Sequence, residues 1–141
     1  MTPLFSTGMT ANQTPAIPRW RVALAALWLT QIALAGMLIL AGGLKLAGVP
    51  VMVALFDAIG IGQWFRYVTG SIEVVSAVAL LVPAWAPFGA LLLIPTMVGA
   101  VVTHLFIVGG SPVAATVLLI GALAIAWVRR DQLASVWSRR S

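Results

Sequence analysis

The chain has 141 residues, 62% of them hydrophobic and 8% charged, with a formal net charge of +5 and a mean hydropathy of +1.09. Soluble domains carry roughly 45–50% apolar and about 25% charged residues, so this composition describes an integral membrane protein. It leaves no separate basic, aromatic-studded domain for nucleic acid, and the absence of cysteine removes disulfides, thiolate chemistry and cysteine-ligated metals.

In chain order, residues 1–21 read as a flexible tail, rich in Thr, Ser, Pro, Asn and Gln. A first span is expected over about 22–42, because some 20 apolar residues at 1.5 Å rise cross a hydrocarbon core of about 30 Å. A cleavable signal has an apolar core of only ~7–15 residues, so this helix is expected to stay in place. The glycines of Ala41-Gly42-Gly43-Leu44-Lys45-Leu46-Ala47-Gly48 are expected to end it or to let another backbone come near.

Pro50 to Ile59 is too short to span and carries Asp57, which predicts a short helix lying at the interface. Trp64, Phe65, Arg66 and Tyr67 follow as an aromatic anchor at headgroup level. A second span over about 64–82 returns through Pro83-Ala84-Trp85-Ala86-Pro87 into a third over about 88–108. Gly109-Gly110-Ser111-Pro112 then turns the chain into a fourth, over about 112–128. The predicted fold is all-α, an up-down-up-down membrane four-helix bundle spanning 22–128. Residues 129–141 are expected to form a basic amphipathic tail, with Leu133, Val136 and Trp137 on one face against an anionic leaflet.

Four spans put both termini on one side. That side holds Arg19, Arg21, Arg129, Arg130, Arg139 and Arg140 against Lys45 and Arg66 on the other, which predicts cytoplasmic termini and a multi-pass protein of the cell (inner) membrane.

Polar residues inside spans are costly and mark candidate sites. Glu73 lies about nine residues, or roughly 13 Å, beyond Trp64. Lys45 at the end of the first span and His104 near the end of the third fall in the same outer half. Gln31, Ala35, Leu38, Gly42 and Lys45 share one helix face, as do Thr96, Gly99, Ala100 and Thr103 with His104 adjoining. Glu73, Lys45 and His104 therefore form the candidate polar network, with Arg66, Gln31 and Asp57 as secondary candidates. For His104 alone a satisfied structural imidazole is favoured over a proton acceptor or ligand. Two readings stay open for Glu73. It is a structural tie to Lys45, or a protonatable group, since burial favours the neutral acid and a nearby cation favours the carboxylate. Arg66 lies seven residues before Glu73 on the same face, and contact with lipid headgroups is the plainer reading of it. With one His and no Cys, a zinc site would need Glu73, Asp57 and His104 to converge, so no metal is assigned.

The glycine-lysine end of the first span, the run Gly70-Ser71-Ile72-Glu73 into Ala79-Leu80-Leu81-Val82-Pro83, and the Met97 to His104 segment resemble the DoxX-like family across roughly 22–128. The resemblance implies a small four-helix membrane protein whose relatives join membrane redox complexes, with Lys45, Glu73 and His104 as its functional positions. The expected function is an accessory subunit of a quinone-linked redox complex, with little or no catalysis of its own, Glu73 and His104 exchanging protons with a quinol. No covalently bound cofactor is expected, and quinone is the candidate ligand. Expected partners are the lipid bilayer and a redox partner or a second copy, with no nucleic acid. The alternatives are a structural or assembly protein without a redox role, and a small proton-coupled transporter.

Overall fold

The computed structural model describes residues 18–138, and every regular element in that range is a helix: α1 (Arg19–Ala47), α2 (Pro50–Ile59), α3 (Gln63–Leu81), α4 (Ala86–Phe106), α5 (Val113–Val128) and α6 (Arg130–Ser138). Residues 1–17 and 139–141 lie outside the described range, and with them most of the expected N-terminal tail and the last two arginines. Arg19 and Arg21 are already helical, so the tail expected to reach residue 21 gives way to α1 earlier.

α1 differs from expectation at its other end too. Gly42 and Gly43 do not terminate it. The helix runs on to Ala47, and Gly48 closes it in the left-handed conformation (φ 71°), its N–H reaching the carbonyls of Leu44 and Lys45. The reason Gly42 sits in a helix interior is non-local. A Cβ there would lie 2.8 Å from the Gly70 carbonyl oxygen and 2.9 Å from Val74 Cγ2, and one on Gly70 would lie 3.1 Å from the Gly42 carbonyl oxygen and from Lys45 Cβ. The missing side chains let the backbones of α1 and α3 touch, the packing device that membrane helices use in place of a hydrophobic driving force.

α2 has Pro50 in its first turn, where the lost N–H would be unpaired anyway, and ends at Gly60. Lys45 and Gly70 meet near one end of the α1–α3 contact and Gln31 meets Leu80 near the other, so the two helices run antiparallel. α3 packs on α4 through another close approach, since a Cβ on Gly89 would lie 2.7 Å from Ala79 Cβ and 3.0 Å from the Ser76 carbonyl oxygen. α4 packs on α5, and α1 touches α5 more sparingly.

Inside lie Leu34, Ala35 and Leu38 of α1, Ala77 and Leu80 of α3, Leu93 and Met97 of α4, and Leu118, Ala122 and Ile125 of α5. The outside is as apolar as the inside: Leu29, Leu40, Phe106 and Ile120 are each more than 60% exposed. A water-soluble monomer rarely tolerates apolar surface on that scale, whereas lipid requires it. Three helices, α1, α3 and α4, are long and apolar enough to cross a membrane. α5 has 16 residues, about 24 Å of helix, which is short of a 30 Å core unless the bilayer thins beside it.

Gly42→Ala is expected to destabilise the protein by about 1–3 kcal/mol, because its methyl group meets backbone. Gly36→Ala, which would meet nothing within 4 Å, is expected to stabilise by about 0.5–1 kcal/mol through helix propensity. Thermal unfolding in detergent checks both.

Candidate functional site

The chain contains one lysine and one glutamate, and they bind each other. Lys45 sits in the last turn of α1, where a cation meets the negative end of the helix dipole. Glu73 stands one turn beyond Gly70 on α3. Because the two helices touch at Gly42 and Gly70, the Lys45 ammonium reaches both carboxylate oxygens, Nζ lying 2.8 Å from Oε1 and 2.7 Å from Oε2. The Glu73 side chain is 4% exposed and that of Lys45 is 16% exposed. The pair therefore answers an intramembrane carboxylate that would otherwise be strongly unfavourable, while the lysine keeps a small opening to its surroundings.

Arg66 completes this end. It was expected to reach lipid headgroups, but it is buried. Its Nη1 donates to the Lys45 carbonyl oxygen, its Nε donates to Gln63 Oε1 at 2.7 Å, and its guanidinium stacks 4.3 Å over the Tyr67 ring. Gln63 in turn donates to the Val53 carbonyl oxygen at 2.9 Å and to Asp57 Oδ1 at 2.7 Å. The turn between α2 and α3 folds back on α1 for this reason: an arginine seven residues before Glu73 lies on the same face, two turns away, and caps the C-terminal carbonyls of α1. Asp57 remains exposed and holds α2 to α3 through Gln63.

The remaining candidates lie elsewhere. Gln31 shares a face with Lys45 but sits fourteen residues, about 21 Å, along the helix from it. It is fully buried. Its amide donates to the Leu80 carbonyl oxygen, and its own oxygen accepts from Arg129 Nη2 at 2.9 Å. Arg129 also donates from Nη1 to the Pro83 carbonyl oxygen at 3.0 Å. This second cluster gathers the C-terminal end of α3, the end of α5 and the interior of α1. Arg129 was expected in a basic amphipathic tail lying against an anionic leaflet. It is instead 7% exposed, and the acceptors it contacts are uncharged, so the negative end of the α3 dipole answers its charge. Arg130, its neighbour, is exposed and lies 4.8 Å over the Trp127 ring.

His104 does not join Glu73. Its Nδ1 lies 3.3 Å from the Gly109 carbonyl oxygen, in the turn that leads to α5. Among the described residues no three His, Cys, Asp or Glu side chains gather as a metal site. The structure thus brings together Lys45 and Glu73, with Arg66, Gln63 and Asp57 in contact behind them, and puts Gln31 in a separate cluster with Arg129. Sequence reasoning missed Gln63 and Arg129; Ser76, which shares the helix face of Glu73 one turn away, is a fully buried hydroxyl. For Arg129 the available signal was Gln31, an intramembrane amide that needed a partner.

Lys45→Met or Glu73→Gln alone is expected to cost about 3–5 kcal/mol by leaving one buried partner unanswered. The exchanged pair Lys45→Glu with Glu73→Lys is expected to recover much of that loss, as measured by unfolding of all three variants in detergent.

A family model described as the DoxX-like family matches residues 29–129. No curated protein and no solved structure matches the chain. The matched segment starts just before Gln31 and ends on Arg129, so it contains both clusters and His104. The chain belongs to the DoxX-like family of membrane proteins.

Proposed function

We propose that the protein is an accessory subunit of a quinone-linked redox complex in the cell (inner) membrane, a helical platform rather than a catalyst. In this reading α5 is the fourth span, both termini are cytoplasmic, and the bundle supplies a fixed surface in the lipid against which a redox partner is held. The observation that carries it is the Lys45–Glu73 pair. Both carboxylate oxygens are taken by one ammonium at a point where two backbones touch, an arrangement suited to holding α1 and α3 in one register. The four-span topology is supported by the arginines at 19, 21, 129 and 130 against Lys45 and Arg66. The redox association rests on what the family resemblance implies. His104, engaged with Gly109, has no part in this reading.

A second reading, a structural or assembly protein without redox role, is favoured by the same saturation of Glu73. The two are separated by deleting the gene in its host and measuring quinone-dependent electron flow in isolated membranes, alongside affinity purification of the tagged protein. The redox reading predicts a several-fold fall in electron flow, restored by the wild-type gene, and an oxidoreductase subunit in the purified material. Unchanged flow with no such subunit contradicts it.

A further inference from the structure

At the end of the bundle where Arg19 and Arg129 lie, α1 outruns the helices it packs on. Gln31 of α1 bonds the Leu80 carbonyl in the last turn of α3, so residues 19–30 run about 18 Å past that helix. α5 meets α1 where Gly121 receives the Leu34 side chain and ends seven residues later at Val128, near the level of Leu27. Residues 19–26 are all exposed. The stripe Gln31, Leu27, Leu24, Trp20, spaced by four, three and four, continues the face that α1 buries against the bundle. Leu27 still touches the core, but Leu24 is 47% and Trp20 66% exposed. An established interface face thus runs on past the bundle, apolar and without a neighbour among the described residues.

The charge around this step is one-sided. Arg19, Arg21, Arg129 and Arg130 stand there against Asp131 alone, while Asp57 and Glu73 lie toward the opposite end with Gln63 and Lys45. The one ion pair among the described residues is Lys45–Glu73, so no carboxylate there pairs with the four arginines. Arg129 is buried, and its Nε has no hydrogen-bond partner. Arg130 is exposed, its guanidinium lying 4.8 Å over the Trp127 ring and its Nη1 donating to the Trp127 carbonyl oxygen at 3.1 Å. That hold fixes the side chain and leaves Nε and Nη2, an edge suited to a phosphate, without an acceptor among the described residues. Arg21 lies 5.8 Å from the Trp20 ring in the same manner. Trp20 and Trp127 are exposed, as indoles at headgroup level are.

We infer that this step is a docking site for an anionic phospholipid of the leaflet that borders it, with the phosphate on Arg130 and an acyl chain against Leu24 and Trp20. Charge selects the occupant. A second copy would meet the face with the same patch, because a twofold interface is self-complementary, and would set arginines against arginines. A zwitterionic lipid covers the apolar residues but brings no net charge. A soluble anion brings charge but leaves the apolar face open. An anionic phospholipid supplies both, and the buried Arg129 adds its positive potential from within. Length agrees, since the step of about 18 Å past α3 is comparable to the ~15 Å of hydrocarbon in one leaflet, half of a core of about 30 Å. The inference stands apart from the redox association, and from which side of the membrane is cytoplasmic.

The purified full-length chain, delipidated in a neutral detergent and titrated with dioleoyl phosphatidylglycerol or dioleoyl phosphatidylcholine, tests it by native mass spectrometry, which counts bound lipids and protein copies together. One phosphatidylglycerol is expected to bind several-fold more tightly than phosphatidylcholine. Arg130→Gln is expected to lower phosphatidylglycerol affinity about fivefold and to leave phosphatidylcholine affinity unchanged, whereas Leu24→Gln weakens both. Glycerol 3-phosphate in excess is expected not to displace the bound phosphatidylglycerol, because a headgroup alone leaves the apolar face open. Melting curves verify that each variant is folded before it is assayed. Equal affinity for the two lipids, either variant binding phosphatidylglycerol as wild type does, or displacement by glycerol 3-phosphate overturns the inference. A dimer that retains no lipid overturns it too, by placing a second copy on the face.

Discussion

A carboxylate in the hydrocarbon region is the constraint to which much of this structure responds. At the bilayer interior a charged side chain costs at least about 2.5–3.5 kcal/mol even after local water and lipid adjust, and Glu73 is the chain's one glutamate. Its answer, the one lysine, comes from another helix 28 residues away in sequence. For Lys45 to reach both oxygens, α1 must extend past its glycines to Ala47, and the two backbones must come within contact at Gly42 and Gly70. The charge pair and the glycine contact depend on each other. Separating the helices by one methyl group would lengthen both hydrogen bonds, and removing the pair would leave the register to the Gln31–Leu80 and Arg66–Lys45 contacts and to the apolar core.

The second consequence concerns the helix ends. In lipid the last carbonyls of a helix have no water to turn to. Arg66 donates to the Lys45 carbonyl at the end of α1, and Arg129 donates to the Pro83 carbonyl just beyond the end of α3. Each arginine comes from a different element than the one it caps, so each cap is also a tertiary tie. Buried guanidinium groups are unfavourable as isolated charges, but a helix C-terminus provides partial negative charge and oriented acceptors together. This explains why both arginines sit inside although neither shows a hydrogen bond to a carboxylate.

Much of the architecture was readable in the sequence for local reasons. Apolar runs announce helices in lipid, because no other open segment can satisfy its backbone there. Pro50 and Gly60 mark the limits of α2 by their own chemistry. What escaped was non-local. The glycines of 41–48 could be read as a helix end or as room for another backbone, and which of them serves the second use depends on Gly70 of another helix, which meets Gly42 and not Gly43. Arg129 looked like the start of a basic tail, because Gln31, 98 residues earlier, is what draws it inward. Arg66 was assigned to headgroups by its place beside Trp64 and Tyr67, and only the fold brings the α1 C-terminus to it. Within the candidate site, Lys45 and Glu73 were visible as charges that needed partners. His104 carried no sequence mark of its local tie to Gly109.

The chain's single lysine and single glutamate make one measurement unusually direct. In bilayers containing protein labelled with ¹⁵N on lysine and ¹³C on glutamate, solid-state NMR dipolar recoupling reports the distance from Lys45 Nζ to the Glu73 carboxyl carbon without assignment ambiguity. Nζ lying 2.8 and 2.7 Å from the two oxygens predicts strong dephasing of the lysine nitrogen by that carbon. A lysine signal undiminished by the glutamate label would place the two groups apart, and would contradict the view that this pair fixes α1 against α3.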